Sequence, residues 1–313
     1  MTVLKETDFK GLGDKQAGKV RDIYVQAERI ILVSTDRHSS FDRIIAHIPH
    51  KGQVLNQLTA FWFERTKDIV ENHALAVPDP NVVVARRCTP LPIEMVVRGY
   101  ITGVTGTALW TLYQGGQRDF GNFVLPEGMR KNQRLDTPVL TPTTKSEVHD
   151  RPITPAEIVS EALLSQALWD EVASYALRLF ARGQDIAKGA GLILVDTKYE
   201  FGTDGAGNVV LIDEIHTPDS SRYWQDATYE ERIREGLEPE NFDKEFLRLW
   251  FKDHCDPYKD TVLPDAPREL IMEMSRRYTQ IFEQITGTAF AAPPESADVV
   301  ERIKNNLKPY YVA

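Results

Sequence analysis

The chain has 313 residues, 42% of them hydrophobic and 27% charged, a composition usual for a globular protein that buries a sizeable core. Its formal net charge of −9 argues against a nucleic-acid-binding or membrane-surface protein. Two cysteines are too few for a disulfide framework, the charged N-terminus lacks a signal-peptide core, and no apolar run reaches the roughly 20 residues of a membrane span, so we expect a cytoplasmic protein.

The first hundred residues are rich in predicted strands. Residues 18–26 (GKVRDIYVQ) and 29–35 (RIILVST) predict two strands joined by a polar turn. Residues 81–87 (NVVVARR) and 93–101 (IEMVVRGYI) predict two more, separated by a turn at the proline-containing CTPLP. Between these pairs, residues 53–70 have the periodicity of a helix.

The middle of the chain begins with an irregular stretch. Residues 132–155 are rich in Pro and Thr and have no period, which predicts a long loop that is functional or a linker. Thr154, Pro155 and Glu157 form the signature of a helix start, and the predicted helix runs to about residue 188. A hairpin at 192–215 follows, and the rest is mostly helical. Strands early and helices late predict an α+β (mixed α/β) fold with a strand-rich lobe at 1–105 and a larger lobe at 106–313.

The predicted hairpin carries an unusual set of charges. In the stretch 192–202 (LILVDTKYEFG), Asp196, Lys198 and Glu200 share one face of a strand because side chains alternate. On the returning strand, Asp213 faces Glu200 if Ala206–Gly207 is a two-residue turn, or Lys198 if residues 204–207 form the loop. A slip by one residue would present Glu214 instead.

This pattern predicts a site for a metal ion and phosphate. Carboxylates that share a face repel each other, and a divalent cation relieves that repulsion. Mg²⁺ prefers one or two carboxylates completed by water and phosphate oxygens, a set that Glu200 and Asp213 would supply. The alternative is a Lys198 salt bridge on an exposed hairpin, which the apolar run before Asp196 argues against.

A glycine-rich segment near the N-terminus could meet the same phosphates. Residues 13–20 (GDKQAGKV) nearly match the P-loop pattern, but Val20 stands where a hydroxyl is required and a strand follows instead of a helix. What remains is a glycine turn entering a strand, with Lys19 and Arg21 on one face. That turn could lie over phosphates, or it could be an ordinary solvated turn.

Several of these segments together resemble the SAICAR synthetase family. The motifs are GKVRDIY, TDRHSSFD, KGQVLNQL, LPIEMVVRGYITG, TPTTK, LVDTKYEFG and IDEIHTPDSSRYW, in the family's order between about residues 10 and 260. The resemblance implies an ATP-binding lobe distantly like those of kinases and ATP-grasp enzymes, with substrates bound in the cleft between two lobes. It also implies a purine-biosynthesis ligase that joins the carboxylate of CAIR, an aminoimidazole ribonucleotide, to the amine of L-aspartate, giving SAICAR, ADP and phosphate.

The resemblance assigns residues to ATP and its metal ion. Those placed at ATP are Gly18, Lys19, Arg21, Glu94 and Met95, within a phosphate-covering turn and an adenine-contacting segment at 91–95. Glu200 and Asp213 would hold Mg²⁺, and Lys198 would neutralise the transferring phosphate or the CAIR carboxylate.

The resemblance also assigns residues to the substrates. They are Asp36, Ser39, Ser40, Asp42, Arg98, Asp196 and Arg222. Asp196 would bind the ribose hydroxyls, and the planar guanidinium groups of the arginines suit phosphate or carboxylate. Lys145, His149 and Asp150 would lie in a loop over the site.

One position departs from the family's pattern. Val104 stands where the family has a serine that binds the substrate phosphate, and valine has no hydroxyl to donate. Thr105, Thr107 or backbone N–H groups near Gly103 and Gly106 could replace it. Two other classes remain open, another ATP-dependent small-molecule kinase or carboxylate–amine ligase and a non-catalytic nucleotide-binding protein, although no H-R-D-x-x-x-x-N or D-F-G motif is present.

Overall fold

The computed structural model describes residues 3–41, 43–145, 151–242, 245–294 and 296–312. The predicted α+β fold is confirmed: two antiparallel sheets and one short hairpin alternate with helices along the chain. None of the helices in these ranges is long and apolar enough to cross a membrane.

The first sheet has five strands in the order β1–β2–β3–β7–β6. Their bounds are β1 Asp14–Ala17, β2 Arg21–Val25, β3 Arg29–Ser34, β6 Ala74–Asp79 and β7 Val82–Arg86. β2, β3 and β7 confirm three of the predicted strands. One face of the sheet packs Ile31 and Val84 against Leu4 near the N-terminus and against Ile303 and Leu307 near the C-terminus.

A two-stranded hairpin and a helix follow β3. β4 (Arg37–Ser40) pairs with β5 (Arg43–His47), and α1 (Lys51–Thr66) corresponds to the helix predicted at 53–70. α1 begins tightly against β3, because a Cβ atom at Gly52 would overlap the backbone oxygen of Ser34. Glycine is therefore required where the helix meets the first sheet.

The second sheet is built around the long pair β8 (Thr89–Ile101) and β11 (Leu192–Thr203). β9 (Gln133–Leu140) and β10 (Thr143–Thr144) pair with β8, and β12 (Val209–Ile212) and β13 (Ser221–Gln225) pair with β11. The turn predicted at CTPLP is wrong, because β8 already begins at Thr89. Its early prolines are tolerated next to the irregularity between Glu200 and Gly202 on β11.

The irregular loop predicted at 132–155 is also wrong in part. β9 and β10 occupy much of it, because backbone pairing with β8 outweighs the low strand preference of its prolines and polar residues. Among the described residues β9 pairs only with β8, and the register shifts between Arg98 and Tyr100, so a proline such as Pro138 is accommodated at this edge.

The remaining helices are α2 Leu109–Gln114, α3 Pro155–Ser160, α4 Gln166–Gly189, α5 Asp226–Arg234, α6 Glu245–His254, α7 Arg268–Thr286 and α8 Val299–Asn306, followed by a 3₁₀ turn at Lys308–Tyr310. Of these helices, α4 packs against β8 and β11 of the second sheet, and α8 packs against β6 of the first sheet. The capping box of Thr154 and Glu157 is confirmed. The single helix predicted up to about residue 188 is two helices, because Ser165 caps a new one at α4.

The division into lobes at residue 105 stays a prediction. The first sheet ends at Arg86, and β8, which precedes residue 105, belongs to the second sheet. Side chains near the C-terminus, Ile303 and Leu307, pack on the first sheet.

Candidate active site

The two faces of β11 carry charged residues and core residues respectively, as the side-chain alternation predicts. Tyr199 and Phe201 are buried in the main hydrophobic core. On the opposite face, Lys198 Nζ contacts Glu200 Oε1, and Asp196 pairs with arginines farther along the strand. β11 therefore presents its three charged side chains to one side of the second sheet.

The predicted register of the hairpin is wrong by one residue. Glu200 pairs with Ile212, so the loop has five residues, 204–208, and neither predicted loop length is correct. The strand ends at Ile212, and Asp213 then adopts a left-handed backbone conformation with φ 67°. This change of conformation returns Asp213 to the Lys198 side, where Lys198 Nζ lies 3.1 Å from Asp213 Oδ2.

Lys198 is the centre of an acidic cluster. In addition to Glu200 and Asp213, Glu94 Oε1 lies 3.8 Å from its ammonium nitrogen. Burial lowers the pKa of Lys198, but these three carboxylates outweigh burial and raise it well above its ordinary value. Lys145 Nζ also contacts Glu200 Oε2, so two ammonium groups meet on one carboxylate. Lys198 is therefore a permanent positive charge at this site.

The first sheet contributes Arg21 to the same cluster. Its guanidinium contacts Asp213 Oδ1 and lies 2.6 Å from Glu214 Oε2. Burial raises the pKa of Asp213, but Arg21 and Lys198 outweigh it and hold that pKa well below its ordinary range. Burial and the neighbouring Asp213 raise the pKa of Glu214 against the opposing effect of Arg21. Asp213 is therefore the more firmly ionised of the two acids.

The turn before Arg21 is exposed, and hydrogen bonds with Arg21 and Arg37 hold its backbone in place. The Gly18 N–H donates to the Arg21 carbonyl at 2.8 Å, which closes the turn that carries Lys19. Arg37 donates to the Gly18 carbonyl at 3.0 Å and is ion-paired with Asp22 at 2.9 Å. The predicted phosphate-covering turn is thus a fixed hairpin end next to the acidic cluster; its role at ATP stays a prediction.

A second cluster lies farther along β11. Asp196 is in register with Arg98 on β8 and with Arg222 on β13, and its carboxylate contacts both guanidinium groups. Burial lowers the pKa of Arg98, and Arg222 adds to this effect while Asp196 opposes it. Two guanidinium groups that share one carboxylate leave an excess positive charge, which favours an anion.

A cavity of about 160 Å³ joins the two clusters. Its charged lining residues are Arg98, Asp196, Lys198, Asp219, Arg222 and Arg248. A wider cavity of about 500 Å³ shares Arg98 with the smaller one and has Thr107, Thr141 and Thr143 among its lining residues. Lys198 and the arginines therefore line the same small cavity.

Two charged residues of the smaller cavity were not predicted from the sequence. Arg248 lies on α6, and Asp219 follows β12 within the TPDSSR motif, where only Arg222 was singled out. Asp219 is held by the buried Lys51 Nζ at 2.6 Å and by the Tyr278 hydroxyl at 2.5 Å. The quoted motifs KGQVLNQL and TPDSSR contained Lys51 and Asp219, whereas no sequence signal indicated that α6 reaches the cavity.

Glu94 and Met95 lie on opposite faces of β8. Glu94 faces Lys198, and the Thr143 hydroxyl lies 3.5 Å from its Oε2. Met95 is buried in the core and pairs with Tyr199. The Met95 side chain therefore points away from the charged face, so any contact with adenine would come from its backbone.

The residues of the TDRHSSFD motif are placed around β4. Asp36 is buried, and its two carboxylate oxygens accept N–H groups of Leu4 and Gly52 at 2.8 and 2.9 Å. Ser40 is buried, and its hydroxyl has no hydrogen-bond partner within the described ranges. Ser39 is half-buried. Asp42, predicted at the substrate, lies outside the described residues, as do His149 and Asp150.

The segment around Val104 leads from β8 to α2. Val104 is exposed and lines a cavity of about 210 Å³ that also contacts Arg222. A Cβ at Gly103 would lie 3.3 Å from an Arg222 nitrogen, so this backbone passes close to the guanidinium. Thr105, the predicted replacement for the missing serine, is half-buried beside Val104. Its substrate role stays a prediction.

The donor set at Lys198 fits a magnesium ion that is held jointly with phosphate. In the described ranges, no group of three or more His, Cys, Asp or Glu side chains is arranged to hold a metal ion by itself. Glu200 and Asp213 both contact the same ammonium group and so lie close together. Two carboxylates completed by phosphate oxygens and water are a usual set for Mg²⁺.

A basic turn facing an acid–lysine cluster, with an arginine-lined cavity beside it, defines an enzyme that handles phosphoryl groups and anionic substrates. The comparisons with known proteins identify the kind of enzyme. The family model for SAICAR synthetase matches residues 14–264. A phosphoribosylaminoimidazole-succinocarboxamide synthase of Legionella pneumophila (strain Lens) is 57% identical over 305 residues, which cover 97% of this chain and 97% of that protein.

More distant relatives agree. A chloroplastic enzyme of the same name from Arabidopsis thaliana is 53% identical over 296 residues, covering 95% of this chain and 72% of that protein. The solved structure of SAICAR synthase from Saccharomyces cerevisiae complexed with SAICAR has a TM-score of 0.78 at 30% identity, covering 92% of this chain and 99% of that one. The chain belongs to the SAICAR synthetase family and is an ATP-dependent ligase of purine biosynthesis.

Proposed function

We propose that this chain joins the carboxylate of CAIR to the amine of L-aspartate and forms SAICAR, ADP and phosphate. The observation that carries the proposal is the cavity that runs from Lys198 to the arginine pair Arg98 and Arg222. It connects a cluster suited to a transferring phosphoryl group with one suited to a substrate anion. The full-length similarity to relatives named for this reaction supports the same assignment. The predicted cytoplasmic location stays a prediction.

ATP would bind between the two sheets. Gly18 and Lys19 supply an exposed turn above the acidic cluster, and Arg21 already reaches that cluster. Glu200 and Asp213 would hold Mg²⁺, which supplies charge neutralisation for the phosphates when it is bound. Because Arg21 contacts Asp213, its guanidinium would shift toward the phosphate oxygens when nucleotide enters.

CAIR would bind along the arginine-lined cavity. Asp196 would accept from the ribose hydroxyls, and Arg98 and Arg222 would hold the phosphate. The Thr105 hydroxyl would serve where the family has a serine. The arginines retain a net positive charge after pairing with Asp196, so the cavity favours a dianionic phosphate over a neutral group.

The chemistry requires activation of a carboxylate. An amide does not form readily from a carboxylate, because oxide is a poor leaving group and the anion repels nucleophiles. We infer that a CAIR carboxylate oxygen attacks the γ-phosphorus of ATP and releases ADP, and that the aspartate amine then attacks the acyl carbon and expels phosphate. Lys198 neutralises charge that spreads over the phosphoryl oxygens during the first step.

Isotope transfer tests this order of steps. CAIR carrying ¹⁸O in its carboxylate should deliver one labelled oxygen to the released phosphate, because that oxygen becomes the bridge to phosphorus. The measurement is mass spectrometry of phosphate after one turnover. Phosphate released without label would refute the acyl phosphate, as would phosphate that takes its label from ¹⁸O-aspartate or only from ¹⁸O-water in parallel reactions.

Paired substitutions test the metal assignment. Asp213→Asn should lower kcat by roughly 10²–10³-fold, because it removes the carboxylate that Arg21 and Lys198 keep ionised. Glu214→Gln should cost roughly 10-fold or less, since Glu214 contacts Arg21 but is not paired with Lys198 in the structure. The reverse order of the two effects would assign the metal to Glu214.

A further inference from the structure

The segment that carries Asp213 is strained in two places. Asp213 and His216 both have left-handed backbones, with φ 67° and 51°, although neither is glycine. Such a conformation is unfavourable for a residue other than glycine and persists only where its surroundings hold it. Since Asp213 owes its position beside Lys198 to this conformation, whatever holds residues 213–216 also determines the geometry of the acidic cluster.

The contacts that hold this segment converge on His216. His216 is fully buried, and its Nε2 lies 2.5 Å from the hydroxyl of Tyr199. Its ring packs edge-on against Trp62 of α1 at 4.6 Å between ring centroids. The Tyr223 hydroxyl of β13 donates to the His216 carbonyl at 2.7 Å. Three elements, β11, β13 and α1, therefore hold one residue from three sides.

On its fourth side, the His216 ring lies against a glycine of α4. A Cβ at Gly183 would lie 2.9 Å from His216 Nδ1 and 2.7 Å from a methyl carbon of Leu194, and closer still to the imidazole Cε1. Helix interiors disfavour glycine relative to alanine. At this position the absence of a side chain allows the imidazole to lie against the helix.

Among the contacts to His216, the Tyr199 hydroxyl comes from the strand that also carries Lys198 and Glu200. Tyr199 stands between Lys198 and Glu200 on β11 and points to the core side of the sheet. The same strand therefore presents the lysine–carboxylate pair to the cavity and holds His216 behind it. Burial lowers the pKa of His216 to about 3, so the imidazole is neutral and acts by hydrogen bonding and packing.

We infer that Tyr199 and His216 are positioning residues that fix the Asp213 carboxylate relative to Lys198 and Glu200. The inference rests on the proposed role of Glu200 and Asp213 in binding a metal ion. Both side chains are buried, and Tyr199 lies on the core side of β11, away from the face that carries Lys198 and Glu200. Each acts through the left-handed segment 213–216, in the way that outer residues orient metal ligands elsewhere.

The test uses Mn²⁺ and ADP as probes and does not depend on turnover. The dissociation constant of Mn²⁺–ADP is measured from the relaxation rate of water protons, which rises when Mn²⁺ enters a protein complex. Tyr199→Phe keeps the ring and removes the hydroxyl, and should weaken Mn²⁺–ADP binding roughly 10-fold.

The matched control is Tyr24→Phe. Tyr24 is also buried, and its hydroxyl bonds to Thr7 at 2.9 Å and to the Phe9 N–H at 3.1 Å, on the face of the first sheet that packs against Leu4 and Leu12. The Tyr24→Phe variant loses hydrogen bonds of the same kind as the one lost in Tyr199→Phe, and it should leave the affinity for Mn²⁺–ADP unchanged. An equal loss of affinity in both variants would mean a general loss of stability and would overturn the inference.

Gly183→Ala tests the contact between His216 and α4. Its methyl group would push the imidazole away from α4 and would also press on the Leu194 side chain of β11, and it should weaken Mn²⁺–ADP binding while the Tyr199 hydroxyl is retained. Because both changes act through His216, the double variant Tyr199→Phe with Gly183→Ala should lose less than the product of the single losses. Independent, fully multiplicative effects would contradict a shared route through His216.

The outcomes separate the inference from the proposed function. If the unaltered protein binds Mn²⁺–ADP and Asp213→Asn loses that binding while Tyr199→Phe and Gly183→Ala do not, the metal site stands and the positioning role is refuted. If Asp213→Asn binds as tightly as the unaltered protein, the metal assignment itself is refuted.

Discussion

Asp36 should make the stability of this protein fall as the pH rises from about 4 to about 7. The carboxyl group is buried, and burial raises its pKa from 3.8 to about 6 against the opposing effect of the Gly52 and Leu4 N–H donors and of Lys51. A carboxyl whose pKa is raised by folding contributes stability that is present in full below pH 3.8 and is lost as the pH passes through 6. The difference corresponds to about 3 kcal/mol.

The comparison is with Asp36→Asn, which cannot ionise. Asparagine accepts from one backbone N–H but presents its amide to the other, and the resulting cost does not depend on pH. The free energy of unfolding, from urea denaturation at intervals between pH 4 and pH 7, should therefore fall by about 2.5 kcal/mol more in the unaltered protein than in the variant, since part of the total of about 3 kcal/mol is already lost at pH 4. If the difference in unfolding free energy between the two proteins stayed constant over this pH range, the raised pKa of Asp36 would be refuted.

Three further changes test other parts of the molecule. Thr105→Val should raise the KM for CAIR and leave the KM for ATP unchanged, and steady-state kinetics should show a loss of about 1–3 kcal/mol in the binding free energy of CAIR. An unchanged KM for CAIR would assign the role to the backbone or to another hydroxyl. Arg302→Ala should lower the free energy of unfolding by about 1.5–3 kcal/mol in urea denaturation, because the buried Asp79 loses its bidentate partner and keeps the N–H donors of Asn81 and Asn306. Gly52→Ala should lower the melting temperature in calorimetry, because its methyl group would overlap the Ser34 carbonyl; an unchanged melting temperature would contradict this close packing.

Local periodicity predicted much of the fold and the main face of the site. The alternation in 192–202 was sufficient to place Lys198 and Glu200 together, because a strand has a fixed period of two whatever its neighbours are. The capping signature at Thr154 was similarly reliable, since its hydrogen bonds are formed within three residues.

Contacts between distant segments could not be predicted in this way. β9 lies in a stretch whose composition favours a loop, and it becomes a strand only because β8 offers unpaired backbone groups. Arg248 reaches the cavity from α6 through the packing of the helices, which no local pattern encodes. Asp36 carries no sequence signal that it accepts from Leu4, 32 residues away.

The position of Asp213 shows how two local deviations can produce an expected contact. The Asp204 carboxylate accepts the N–H groups of Ala206 and Asn208 at 2.9 Å, and this side-chain turn lengthens the loop to five residues. By itself that loop shifts the register by one and would direct Glu214 toward Lys198. The left-handed conformation of Asp213 then reverses the alternation, so Asp213 meets Lys198 although the predicted pairing is wrong. Side-chain alternation describes a strand only while its backbone stays extended, and here the strand ends one residue before the carboxylate that matters.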